Sequence, residues 1–340
     1  MVGSSSADPV LVEAARGEMV ESRHRGAFAV VDAAGRIVLA RGDVDRPVYP
    51  RSAIKPLQAL PLIETGAAAH FGLGDREIML ACASHDGNPA VVAAVEAWLA
   101  RIGLTPDDLE CGADAPSDPA AAQALIRAGA PPSALHNNCS GKHAGFLSTA
   151  RYLGEPTHGY IGAGHPVQRR VEAVLSSMTG LDLERAPHAT DGCGIPVIGI
   201  PLKAMARAMA RLADSTGLAA ERAAAAGRVL KAMAAEFELV PGGSRFRREV
   251  MRVAAATVRL KPGAEGVACA ALPQHGLGIA LKIDDGAGRA ADVAMGAVLL
   301  KLGMLGEAQA AEIAAVLRPP IKNVAGRIVG EVRPVATAFE

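Results

Sequence analysis

The chain has 340 residues, half of them hydrophobic and 21% charged, with 35 Lys plus Arg against 35 Asp plus Glu. A formal net charge of zero and only 3% aromatic residues exclude the basic footprint and the stacking platform of a nucleic-acid binder, so the expected partner is a small molecule. The first ten residues lack the basic start and apolar core of a secretory signal, and no run approaches ~18 apolar residues. Five scattered cysteines (Cys82, Cys111, Cys139, Cys193 and Cys269) fit reduced thiols, and a cytoplasmic protein without a membrane span is expected.

In chain order, apolar residues 28–31 and 37–40 flank the polar, glycine-containing stretch 32–36, which predicts a β-hairpin. Helical periodicity follows over 77–83, 89–102, 119–128, 142–152, 166–179, 202–213, 219–237 and 245–257. Residues 266–272 and 277–283 then flank 273–276 as a second hairpin, and helices are expected over 290–302 and 308–317. Single hairpins are marginal in water, so the two are expected to join one antiparallel sheet covered by helices. The expected fold class is α+β, with the sheet built from both chain ends and a helical region inserted. It reads as a single domain, 1–340, with a sheet part at 20–85 plus 260–340 and a mainly helical part at 86–259.

Five clusters could carry chemistry. In Arg51-Ser52-Ala53-Ile54-Lys55-Pro56, three-residue spacing sets Ser52 and Lys55 on one helical face, within roughly 5–6 Å. A serine hydroxyl needs a base, and a lysine of depressed pKa can be one; alone, however, the pattern also reads as an N-cap serine beside a solvated lysine. Cys82-Ala83-Ser84-His85-Asp86-Gly87 offers a second hydroxyl at a turn, or a plain helix-ending turn. Asn137-Asn138-Cys139-Ser140-Gly141-Lys142-His143 crowds two amides, a thiol, a hydroxyl, a cation and an imidazole into a loop entering a helix, which favours function over a polar surface loop. Asp191-Gly192-Cys193-Gly194 brackets a thiol with glycines. With Cys139 and His143 it could hold zinc, or the two thiols could be structural. Lys261-Pro262-Gly263, ahead of a strand, parallels the K-T-G element of S-x-x-K hydrolases, with Pro in place of Thr and no S-D-N.

Taken together, RSAIKP, CASHDG, NNCSGKHAG, GHPVQ, TDGCGIP, GGSRF, LKPGAEG and GLGIALKIDDG resemble the rhizobial (Rhizobium etli-type) L-asparaginases from about residue 20 to about 332. The resemblance implies a fold like the serine β-lactamases and two serine–lysine tandems, Ser52 with Lys55 and Ser84 with Lys261. It implies substrate contacts from Arg51, His143 and Asp191. It also implies one zinc ion per chain on Cys139, Lys142 and Cys193, in a supporting role. The implied reaction is hydrolysis of L-asparagine to L-aspartate and ammonia by a lysine-activated serine, in an enzyme expected to be a homodimer. The rival readings are a glutaminase, a penicillin-recognising serine hydrolase, and a non-catalytic protein that binds zinc or an amino acid.

Overall fold

The computed structural model describes residues 7–240 and 244–340. The first two glycines of the GGSRF motif, and the first six residues of the stretch read for a secretory signal, lie outside the described residues. The chain divides into two compact units. One comprises Met1–Ala53, Ile200–Asp214 and Ser244–Glu340, and the other Ile54–Gly199 and Ser215–Gly243.

The first unit is built on an eight-stranded antiparallel sheet: β1 (Val10–Arg16), β2 (Met19–Asp32), β3 (Ile37–Arg41), β4 (Arg259–Pro262), β5 (Val267–Leu272), β6 (Leu277–Ile283), β7 (Pro320–Lys322) and β8 (Ile328–Pro334). Its order is β7-β8-β1-β2-β6-β5-β4, with β3 also on β2, so both chain ends meet in the sheet as expected for the α+β class. Both hairpins are present. β6 joins them, with Ile279 opposite Val30 and Leu281 opposite Phe28 on one side and Ala280 opposite Cys269 on the other. β2 runs 14 residues: its charged first half pairs with β1, and its apolar second half is buried among β3 and β6. Helices Leu202–Ala213 and Gly288–Lys301 pack on these strands, burying Leu202, Met205 and Met209 from the first and Val293, Met295 and Leu299 from the second. Phe339 stacks on Phe28 with ring centroids 5.4 Å apart, tying the C-terminal end to the sheet.

The second unit is mainly helical. Several of its helices begin where the sequence signals them, with a polar cap followed by proline: Asn88 before Pro89, Asp118 before Pro119, His165 before Pro166. Its centre is helix Ser140–Leu153, buried on every side from Ser140 through Ala150. Trp98 Nε1 donates to Ser148 Oγ at 3.0 Å inside it. Gly141 lets this helix lie against Asp75–Cys82, since a Cβ there would stand 2.6 Å from Leu80 O. That contact is what brings the Cys82–Ser84 strip alongside the start of the Lys142 helix. Among the described residues no helix is long and apolar enough to cross a membrane.

Candidate active site

In the first unit, a turn closed by Ala53 N–H donating to Pro50 O (3.0 Å) carries Arg51 and Ser52. Arg51 has φ +49°, a left-handed conformation that costs a non-glycine residue roughly 1–2 kcal/mol. Strain of that kind persists where a side chain must be aimed. Ser52 is half-buried in the short 3-10 turn Arg51–Ile54. The Lys261-Pro262-Gly263 element lies directly on this turn. A Cβ on Gly263 would stand 3.0 Å from both Ala53 N and Pro50 O, so only glycine lets the two backbones approach. Lys261, buried on β4, donates from Nζ to Pro262 O at 2.7 Å. The structure thus sets Gly263 of the fifth cluster against the serine turn of the first, a proximity that the long separation in sequence hides from any spacing rule.

In the second unit, Lys55 has no solvent exposure. Its Nζ donates to Ala83 O (2.8 Å), Ser84 Oγ (3.0 Å) and Asn138 O (3.4 Å). Desolvation pulls its pKa below the ordinary lysine value, and the Lys142 charge adds to the fall, against an opposing pull from Cys139 and Cys193. When the ammonium becomes an amine, it gains a lone pair and must accept one hydrogen bond. Two of its three oxygen partners are carbonyls with no proton to give. Of these oxygens only the Ser84 hydroxyl can turn round, and the Cys139 side chain, also hydrogen-bonded to Lys55, is a second group that can exchange a proton with it.

Cys139, Lys142 and Cys193 also converge. Lys142 Nζ donates to Cys193 Sγ at 3.1 Å, and the two thiols share a hydrogen bond. That bond from Cys193 holds Cys139 well below the ordinary thiol range, aided by Lys142 and Lys55, while bonding to Cys139 and burial push Cys193 up. Burial lowers Lys142, but Cys139, Cys193 and Asp191 outweigh it and raise its pKa. The arrangement favours the charged forms of Cys139 and Lys142 and the neutral form of Cys193. Among the described residues no three His, Cys, Asp or Glu side chains are grouped to hold a metal ion, so His143 does not join the thiols. The donor set fits zinc in another way. Two soft sulfurs and an amine nitrogen lie together, with N and S about half an ångström closer than two ligands of one tetrahedral zinc. A bound ion would displace the Cys193 and Lys142 protons.

His143 and His85 are both buried, and burial first, then nearby lysines, lowers both pKa values: His85 to about 4, His143 well below its ordinary value. His85 is fully bonded: Gly87 N–H donates to Nδ1 (3.1 Å), and Nε2 pairs with Ser140 Oγ (2.8 Å). His143 Nδ1 meets the Tyr160 hydroxyl at 2.8 Å, but its Nε2 is buried without a hydrogen-bond partner among the described residues. An orphan of that kind costs about 1–3 kcal/mol. Asp191 is half-buried in the Thr190–Ile195 loop, where its N–H donates to Ile195 O and its Oδ1 accepts from Gly192 N–H. Sequence reasoning missed Tyr160, the Asn138 carbonyl and the glycine contact of Gly263. Tyr160 alone left a trace, as a single aromatic in the glycine-rich stretch 158–164.

The model of the L-asparaginase II family matches residues 12–334. The chain belongs to that family. No curated protein matches the chain. Among solved structures it is similar to Mglu in its glutamate form, at 16% identity and a TM-score of 0.47 over 82% of this chain and 61% of that one. It is also similar to a beta-lactamase from Mycobacterium bovis (15%, TM-score 0.40, covering 81% and 94%) and to simvastatin synthase from Aspergillus terreus (12%, 0.40, 79% and 90%). The chain spans 61% of the length of that Mglu chain.

Proposed function

We propose that this family member hydrolyses the side-chain amide of L-asparagine, with Ser52 as the nucleophile and lysine as its base. Ser52 Oγ attacks the amide carbon and gives up its proton. The proton leaves on the departing ammonia, and the acyl group stays on Ser52 as an ester. Water then attacks the ester, returning L-aspartate and the free hydroxyl. Chain connectivity keeps Lys55 three residues from Ser52. Ser84 is the relay through which Lys55 takes a proton, and Lys261 is the cation beside the Ser52 turn. Arg51, Asp191 and His143 hold the substrate's charged ends. Cys139, Lys142 and Cys193 would hold one zinc ion per chain, which when bound supplies fixed positive charge and joins two loops.

The observation that carries this reading is the wholly buried Lys55, whose Nζ donates to Ser84 Oγ at 3.0 Å. Ammonia release from L-asparagine, L-glutamine and a chromogenic β-lactam tests it. Asparagine is expected to be turned over fastest. Faster release from glutamine would move the substrate by one methylene, and β-lactam opening without ammonia release would overturn the assignment.

A further inference from the structure

The hydrogen bonds around Tyr160 decide where the proton of a neutral His143 sits. The Tyr160 oxygen already accepts from Glu110 N–H at 2.9 Å. If His143 Nδ1 also donated to it, two donors would face one oxygen, and no acceptor is described for the phenol's own proton. The consistent arrangement has Tyr160 O–H donating to His143 Nδ1 at 2.8 Å, which leaves the imidazole proton on Nε2. Tyr160 is itself fixed: it has no exposure, and Gln168 Nε2 holds its carbonyl at 2.9 Å. Glu110 is held in turn, its Oε1 accepting from Gly159 N–H at 2.7 Å.

We propose that Tyr160 is a positioning residue for the reaction: it locks His143 in the Nε2–H tautomer so that this N–H donates to a carboxylate oxygen of the amino-acid substrate. The inference rests on His143 being a substrate contact under the reading above. Two observations support it. Among the described residues Nε2 is a buried donor with no protein partner, whereas the equivalent nitrogen of His85 is consumed by Ser140. A protonated Nε2 has no lone pair for a metal, in keeping with the absence of His143 from the thiol pair among the described residues.

The test is 15N NMR of histidine-labelled protein, alone and with L-aspartate, combined with kinetics of Tyr160→Phe. The parent is expected to show His143 as a single Nε2–H tautomer whose Nε2 signal shifts on adding L-aspartate. Tyr160→Phe keeps the ring, so it should fold while releasing the tautomer. KM for asparagine should rise roughly tenfold, the loss of one well-made hydrogen bond, with kcat within about twofold. In a His143→Gln background, where the amide supplies its own N–H, the same change should cost nothing further. An Nδ1–H signal in the parent overturns the proposal, as does an unmoved tautomer or KM in Tyr160→Phe. If the variant does not fold, the parent spectrum and its response to L-aspartate decide alone. If the parent releases no ammonia from asparagine, the proposed function falls, while the tautomer still shows on the same samples whether Tyr160 sets the ring.

Discussion

Lys55 and Lys142 sit in the same helical unit, 0% and 2% exposed, and the fold treats them in opposite ways. Around Lys55 the oxygen partners are two carbonyls and a hydroxyl, and desolvation together with the Lys142 charge outweighs the opposing pull of Cys139 and Cys193: its pKa falls. Around Lys142 desolvation is outweighed by Cys139, Cys193 and Asp191, and the pKa rises. Burial alone therefore does not decide the state of a lysine; the charge of its nearest acceptors does. One lysine is prepared to take a proton and the other to stay charged or to meet a metal. Each also works on the other, since the Lys142 charge helps to depress Lys55.

The largest effects should come from breaking the proton-accepting side of this pair. Under the proposed mechanism Ser52→Ala removes the nucleophile, and Lys55→Met keeps the buried stem but removes the base. Each should lower kcat by roughly 10³-fold or more, with thermal unfolding close to the parent's. Turnover within tenfold of the parent in either variant would remove that residue from the mechanism.

A smaller effect is expected on the charged side. Elemental analysis should find about one zinc per chain in the parent, and near none in Lys142→Met or in the Cys139→Ser, Cys193→Ser double variant. Activity should fall by about 10–100-fold, well short of the loss in Lys55→Met. Undiminished zinc in the double variant would sink the ligand set.

How far the sequence revealed this contrast depends on which signals are local. The two hairpins were legible because apolar runs flank short turns, and most long helices because their caps and prolines mark the starts. The helix predicted over 308–317 is instead two short pieces, Glu307–Glu312 and Ala314–Leu317. β1, the first half of β2 and β8 were not legible: after Met19 and Val20, residues 21–25 are all polar or charged and mostly exposed or half-buried, so that half of β2 carries neither an apolar run nor an alternation. The short helices Lys55–Gln58, Leu60–Glu64 and Ala67–His70 were hidden by Pro56, Pro61 and Gly66, which interrupt any helical period. At the site, the types of the residues were visible but their partners were not. Lys55 meets Ser84 across 29 positions, and Tyr160 meets His143 through a loop with no periodic signature.

The sheet unit offers its own way to sharpen the comparison, through packing rather than charge. Gly263→Ala would force a Cβ to 3.0 Å from the backbone of the Ser52 turn. The expected cost is about 1–3 kcal/mol in chemical denaturation, with a several-fold loss of kcat as the turn shifts. If activity and stability both stay at parent levels, the close approach of the Lys261 element to Ser52 does not matter to the reaction.

The smallest effect comes from a half-buried carboxylate with no opposite charge described beside it. Asp292, on helix Gly288–Lys301, is helped among the described residues by the Ser244 side chain, and desolvation raises its pKa from 3.8 to about 7. It is the carboxylate counterpart of Lys55, since in both the fold disfavours the charged form. The folded-state pKa lies above the unfolded one, so the protonated carboxyl is the form the fold tolerates. The stability it leaves intact is fully present below about pH 4 and is lost as pH rises through about 7. Asp292→Asn removes the ionisation while keeping the shape. The variant should therefore match the parent near pH 4 and exceed it by about 1–2 kcal/mol at pH 8, below the full ~1.4 kcal/mol per tenfold change in proton affinity because local relaxation admits water. Urea denaturation of both proteins at the two pH values measures this directly. A gain of equal size at both would mean that packing, not ionisation, separates the two side chains, and desolvation without a counter-charge would no longer account for Asp292.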